Sequence, residues 1–216
     1  MARAQSASDD AYIQVKEMIV TGTLPGGELV SEGDIAQQLG MSRTPVREAF
    51  LRLQVQGWMR LFPKRGALVL PISPGEAEHV IAARRIVEAG SIRAIAAQPD
   101  RAEELAVLLH AEIVRQHRVA KSGDISEFSA ADADFHHAIV RAAGNPLLDE
   151  FYLGLRERQR RMTVESLDRR PGQVDGIIED HTNLIKLIRA ADVEGYDSAV
   201  DLHMRRVHGL DTGVRR

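Results

Sequence analysis

The chain has 216 residues, 44% of them hydrophobic, with 28 Lys and Arg against 31 Asp and Glu and a formal net charge of −3; this is room for two small domains of ordinary globular composition. It contains no cysteine, which excludes disulfides, thiolate zinc sites and cysteine nucleophiles and fits a reducing compartment. No apolar run reaches the roughly 18 residues of a membrane span, and the start MARAQSASDD has no secretory pattern, so a cytoplasmic protein without a membrane partner is expected.

Residues 1–70 hold 8 Lys or Arg and 7 Asp or Glu, while the remainder holds 20 and 24. The sign of the total is therefore a poor guide to what the first part binds. Short elements broken by Gly and Pro fill this part. A helix is expected over about 9–21, with Tyr12, Val15 and Ile19 on one side. GTLPGGELV (22–30) reads as a turn-rich connection, and Ser31 caps a second helix carrying Ile35, Ala36 and Leu39 up to Gly40. Ser42 or Thr44 caps a third, with Pro45 in its first turn and an end near Gly57. WMRLF and ALVL then alternate as two strands around PKRG (63–66), a hairpin. Helix, helix, turn, helix, hairpin is the order of a winged helix-turn-helix.

PISPGE (71–76) reads as a linker between a DNA-binding domain, 1–70, and a second domain, 77–216. Beyond the linker, six helical stretches are expected at about 75–98, 101–121, 125–143, 146–165, 174–190 and 192–208, with Asp100, Asp124 and Asp192 as caps. Long helices with short connections imply an antiparallel six-helix bundle, so the fold class is mainly α with a small β-hairpin wing.

In SRTPVREAFLRL (42–53), Val46, Ala49, Phe50 and Leu53 form one apolar arc that leaves Arg47 outside and puts Arg43 in the first turn. A recognition helix presents its N-terminal residues to base edges. Arg suits guanine, and the hydroxyls of Ser42 and Thr44 suit phosphate. Lys64 and Arg65 at the hairpin tip could reach the neighbouring backbone or minor groove. Alternatively, Arg43 and Arg47 are ordinary solvated charges on an amphipathic helix. The run from VKEMIV through SRTPVREA to RGALV resembles the GntR family of bacterial transcription regulators. That resemblance implies DNA contacts from Ser42, Arg43, Thr44 and Arg47, with Gly66 at the wing tip. In SEGDIA, Gly33 stands where the family often has Arg, which removes the side chain for a base contact common from that position and implies a different or weaker operator.

In ADADFHHAIVRAAGN (131–145), Asp132 and His136 are four residues apart on the same face as Phe128, Phe135 and Ile139. Either group buried without a partner is costly, whereas an i,i+4 pair can grip one metal ion. Two further imidazoles sit on apolar arcs: His181 with Ile177, Leu184, Ile185 and Ile188, and His203 with Tyr196, Val200, Val207 and Leu210. His137 turns away, His208 drifts off its arc, and His79, His110 and His117 are core or surface residues. Asp132, His136, His181 and His203 make a thiolate-free N3O set suited to Zn2+, Ni2+ or another first-row divalent ion. Positions left open on such an ion suit either catalysis or capture of an oxygen ligand.

DADFHHAIVRAAGNP and EDHTNLIKLIRAADVEGYDSAVDLHMRRV resemble the metal-binding variety of the FCD effector domain, from the FadR-like branch of the same family. The resemblance implies these four ligands and an anionic effector. By the same resemblance, Arg84 in RRIVE (84–88) would contact that effector; its alternative is a salt bridge to Glu88. Asn145 is either a pocket residue or a helix cap. The function expected is a homodimeric transcription regulator bound to a pseudo-palindromic double-stranded operator and modulated by a small carboxylate. A metal-dependent hydrolase or isomerase fused to a DNA-binding module is the alternative.

Overall fold

A computed structural model describes residues 6–210; the outer ends of both expected domains, residues 1–5 and 211–216, lie outside the described residues. The chain divides after Ser73 into two compact units.

The first unit contains α1 (Ala7–Val20), β1 (Leu29–Val30), α2 (Glu32–Leu39), α3 (Arg43–Val55), β2 (Met59–Phe62) and β3 (Gly66–Val69). Ser6 and Asp9 close a reciprocal capping box on α1. Ser31 caps α2 through the Asp34 amide, and Gly40 ends α2 in the left-handed region. The apolar arc of α3, Val46, Ala49, Phe50 and Leu53, shares one buried core with Val15 and Ile19 of α1, with Met59 and Val69 of the sheet and with Trp58 just before β2. The sheet has three strands rather than the expected two, in the order β1-β3-β2, all antiparallel. Leu29 and Val30, within the stretch expected to be connection only, pair with Leu68 and Ala67.

Gly66 shows why that edge closes. Its φ is +100°, and a Cβ there would lie 2.2 Å from the Val30 carbonyl oxygen. A side chain at this position would therefore push β1 away from β3.

The second unit contains α4 (Pro74–Ala96), α5 (Pro99–Ser122), α6 (Ile125–Ala142), α7 (Pro146–Arg169), a 3-10 turn (Pro171–Gln173), α8 (Val174–Arg189) and α9 (Val193–His208). Helix α4 begins inside the expected linker. Asp124 and Asp192 cap α6 and α9 as expected, but Asp100 lies within the first turn of α5, because Pro99 occupies the N1 position and Gln98 the cap. Helices α6 and α7 pack closely, α5 lies against α6 and α8, and α4 and α9 complete the bundle. Phe128, Phe135 and Ile139 of α6, Tyr152 of α7, Leu184 of α8 and Val200 of α9 are buried in it.

Candidate metal centre and nucleic-acid interface

Helix α3 exposes Ser42, Arg43, Thr44 and Arg47, while its apolar arc is fully buried. Ser42 is the N-cap residue of α3, yet its hydroxyl accepts no capping bond. The hydroxyl is thus not spent on capping the first-turn amides, and a helix start of this kind is the sort of place a phosphate binds. Arg47 Nε lies 4.0 Å from the Glu32 carboxylate of α2. Arg43 folds over Gly33, where a Cβ would be 3.1 Å from its guanidinium. The α2 start, the outer face of α3 and the hairpin line an open cleft of about 850 Å³. At the hairpin tip, Lys64 adopts φ +61° and both Lys64 and Arg65 are exposed. Gly66 is the first residue of β3, and its contact is with β1.

In the second unit, Asp132 and His136 of α6 meet His181 of α8 and His203 of α9. One potential ligand atom from each residue lies within 4.8 Å of all the others, and all four side chains are buried. His181 Nε2 is 3.3 Å from His203 Nε2 and 3.4 Å from Asp132 Oδ1.

The outer atoms of the rings decide which face is presented inward. His136 Nδ1 is 2.7 Å from Glu88 Oε2, His181 Nδ1 is 2.9 Å from Gln116 Oε1, and His203 Nδ1 is 2.9 Å from Asp180 Oδ2. Gln116 donates its own amide to the Ala131 carbonyl, so its oxygen must face His181. Each Nδ1 therefore carries the proton and donates it, leaving three Nε2 lone pairs turned toward one another. Asp132 is held in the same manner: Gln159 Nε2 and Thr163 Oγ1 donate to Oδ2 at 2.7 and 3.2 Å. Asp132 Oδ1 and His136 Nε2 are buried without a hydrogen-bond partner. Four ligand atoms of this kind, buried and close together, could hold a divalent cation.

Burial, reinforced by His203 and His136, holds His181 well below the ordinary imidazole pKa. Burial also outweighs Glu88 in lowering that of His136. Burial opposes ionisation of Glu88, but His136 and Arg84, with hydrogen bonds from His136 and Tyr152, hold its pKa at about 2. Burial thus favours the neutral imidazole at His136 and His181, the state a metal requires of such ligands, with an ionised Glu88 behind His136.

Arg84 is buried, with Nε 3.2 Å from both Glu88 Oε1 and the Tyr152 hydroxyl. Its Nη2 is buried and has no partner. The salt bridge and a buried donor without a partner are therefore both present in one side chain. Glu88 gathers the surroundings: Tyr152 donates to its Oε1 at 2.5 Å, and Tyr196 to its Oε2 at 3.3 Å.

Asn145 is exposed and caps α7, accepting from the Leu147 and Leu148 amides; capping is the role its contacts display. His137 is turned away from the cluster, against Asp149 and the ring of Tyr152. His79, His110 and His117 are exposed. His208 was expected off its arc, but its Nδ1 is buried without a partner. Gln116, Gln159, Thr163 and Asp180 escaped the sequence reading. The signal for two of them was Gln159 and Thr163 at i,i+4 in RERQRRMT, a polar pair on one face of a long helix.

Among the described residues, no helix is long and apolar enough to cross a membrane. Residues 7–69 match the bacterial regulatory proteins of the gntR family, and residues 79–206 match the FCD domain. A probable D-xylose utilization operon transcriptional repressor of Paenarthrobacter nicotinovorans is 34% identical over 203 residues, covering 88% of this chain and 84% of its own length. An uncharacterized HTH-type transcriptional regulator of Streptomyces ambofaciens is 35% identical over 136 residues, which cover 63% of this chain and 56% of that relative. The solved structure of E. coli McbR/YncC shares the fold, with a TM-score of 0.75 at 22% identity, covering 95% of this chain and 96% of that one. These likenesses are to regulators, and the alternative of a metal-dependent hydrolase or isomerase gives way to them. The chain belongs to the GntR family of transcription regulators, with a winged helix-turn-helix followed by an FCD effector domain.

Proposed function

We propose that residues up to Ser73 bind a pseudo-palindromic operator as part of a homodimer, and that the bundle from Pro74 onward holds a divalent transition metal, Zn2+ or Ni2+, on Asp132, His136, His181 and His203. A small carboxylate effector enters this centre, where Arg84 pairs with its charge, and operator affinity changes as a result. The observation that carries the reading is the coincidence of unpartnered buried atoms: Asp132 Oδ1 and His136 Nε2 in the ligand set, and Arg84 Nη2 on the neighbouring helix. When bound, the metal supplies a positive centre with coordination positions open to oxygen. The chain's own part is to fix the four ligands, to exclude water and to offer one unpaired guanidinium N–H. Effector binding shifts the operator equilibrium only insofar as the effector prefers one of two states. Repression is the regulatory mode supported by the Paenarthrobacter relative's description.

The test is elemental analysis of the purified protein, followed by thermal-shift titration with small carboxylates, with and without a chelator, and operator binding measured alongside. A ligand that binds the folded state raises apparent stability by mass action. The double variant His181→Ala, His203→Ala should lose the metal and the effector response, while the folded fraction keeps its operator affinity. His137→Ala should keep the metal. Full metal occupancy in the double variant would remove the site from this position. A strict monomer in sedimentation at operator-binding concentrations would contradict the dimeric reading.

A further inference from the structure

Helix α5 carries apolar residues on both of its sides. Leu105, Leu109, Ile113 and Gln116 bury one side in the bundle. The opposite side of such a helix is ordinarily polar throughout, but here its middle is not. Val107, Leu108, Ala111 and Val114 are all exposed, and the three larger ones show over half of their surface. At intervals of three and four residues, these four stand on one face. Apolar side chains gathered on one stretch of surface mark a place where something docks.

Charge frames this face in a fixed order. Ahead of the apolar stretch it carries Asp100 and Glu104, and beyond it Arg118, all exposed. Other charges on the helix are already engaged: Glu103 accepts from Arg189, and Arg115 donates to Glu112 and Asp134. Glu104 and Arg118 have no ion-pair partner among the described residues. They stand seven residues, close to two turns, to either side of Ala111, so the three share the face. Leu108 and Val114 stand three residues to either side of the same alanine. The face therefore runs acidic, apolar, small, apolar, basic, and its complement is that order reversed. A second copy of α5, laid antiparallel across a two-fold axis at Ala111, supplies this complement. Glu104 then meets the partner's Arg118, and Leu108 meets the partner's Val114. Each contact occurs twice, as a self-complementary interface requires. At the axis Ala111 meets its own copy, where a small side chain lets the two helices approach closely.

We propose that the homodimer forms through α5 of one subunit packed antiparallel on α5 of the other about Ala111, with Glu104 and Arg118 deciding the pairing. This rests on the homodimeric reading proposed above and adds the surface, the register and the residues that select it.

Sedimentation equilibrium of the full chain tests it, with circular dichroism confirming that each variant is folded. Glu104→Arg and Arg118→Glu each turn two attractions into repulsions, and each should raise the dimer dissociation constant about tenfold or more. Mixing these two single variants should restore association, because every altered residue then faces one of opposite sign. The double variant Glu104→Arg, Arg118→Glu should likewise associate to within about threefold of the unaltered chain. Ala111→Arg sets two like charges on the axis and should weaken the dimer about a hundredfold or more. Phe151→Ser, on the exposed surface of α7, should leave association unchanged. Unweakened dimers of folded Glu104→Arg and Arg118→Glu would overturn the pairing. Failure of both the mixture and the double variant to recover would overturn the antiparallel register. Loss of the dimer in Phe151→Ser, with every α5 variant still dimeric, would move the interface to α7 and leave the dimeric reading in place. A strict monomer of the unaltered chain at operator-binding concentrations would overturn that reading and this extension together.

Discussion

Glu88 on α4 and His136 on α6, 48 residues apart in sequence, are joined by a 2.7 Å hydrogen bond between Oε2 and Nδ1, and both side chains have no exposed surface. The same carboxylate holds Arg84 through its other oxygen. One buried residue thus orients a metal ligand of the proposed centre and neutralises the arginine proposed to meet the effector.

Glu88→Gln should therefore affect two properties at once. It leaves the Arg84 charge buried without a counter-ion, a change that costs about 3–5 kcal/mol when a buried pair is broken. It also weakens the acceptor behind His136, for which a loss of about 10- to 100-fold in metal affinity is expected. Denaturant unfolding of the metal-free protein measures the first, and competition with a chromogenic chelator the second. Unchanged metal affinity in a folded Glu88→Gln variant would mean that His136 does not depend on Glu88.

On the DNA-binding unit, Arg43→Ala or Arg47→Ala should each cost about 1–3 kcal/mol of operator affinity if it removes a bidentate base contact, and should relax the preference at one base position. Arg43 is the more informative, because Gly33 leaves room for it to lie over α2. Selection of binding sites from a random DNA pool, repeated with the variants, checks this. Unaltered affinity and specificity in the double variant would place the reading surface elsewhere.

Lys64 should behave differently. It is exposed at the hairpin tip, and we propose that it meets the sugar–phosphate backbone. Lys64→Ala should weaken all DNA sequences about equally and lower the slope of log affinity against log salt by about one. Fluorescence anisotropy over a salt series provides both quantities. A sequence-dependent loss with an unchanged slope would argue for a base contact instead.

A pH dependence is expected from Asp134, which ties α6 to Arg115 of α5 and Arg156 of α7 at 2.7 and 2.5 Å. Burial opposes its ionisation, but hydrogen bonds from Arg115 and Arg156 hold its pKa below the ordinary value. A carboxyl group lowered in the folded state stabilises the protein above its unfolded pKa of about 3.9, and that contribution is lost as the pH falls through the folded value. With the side chain about a third exposed, Asp134→Asn should cost about 1 kcal/mol at pH 7. The gap between variant and parent should narrow below about pH 4. Urea unfolding at pH 7 and pH 3 compares them, and an equal gap at both would rule out a charge effect.

The sequence by itself determined the helices, the hairpin and the inward-facing residues of the proposed centre. The arc of Val46, Ala49, Phe50 and Leu53 identified α3 and its outward arginines, and apolar neighbours on three helices marked Asp132, His136, His181 and His203. These are periodicities within single helices, and a helix face can be read from local spacing because 3.6 residues per turn dictates it. Caps were legible where a side chain answers an amide two or three residues away, as at Asp124 and Asp192. Asp100 failed that rule because Pro99 had already taken the first helical position.

Tertiary structure decided everything that depends on two elements meeting. Leu29 and Val30 form a strand only because β3 offers them an edge and Gly66 permits the close approach. Their own sequence, rich in Gly and Pro, has no strand period. The partners of the proposed ligand set, Glu88 for His136, Gln116 for His181, Asp180 for His203, and Gln159 with Thr163 for Asp132, come from 23 to 65 residues away. Spacing along one chain cannot encode such pairings, because they follow from which helix packs on which. Arg84 shows the difference most clearly: its Glu88 partner was visible at i,i+4, whereas the second, unpaired end of its guanidinium exists only because the bundle closes around it and excludes water.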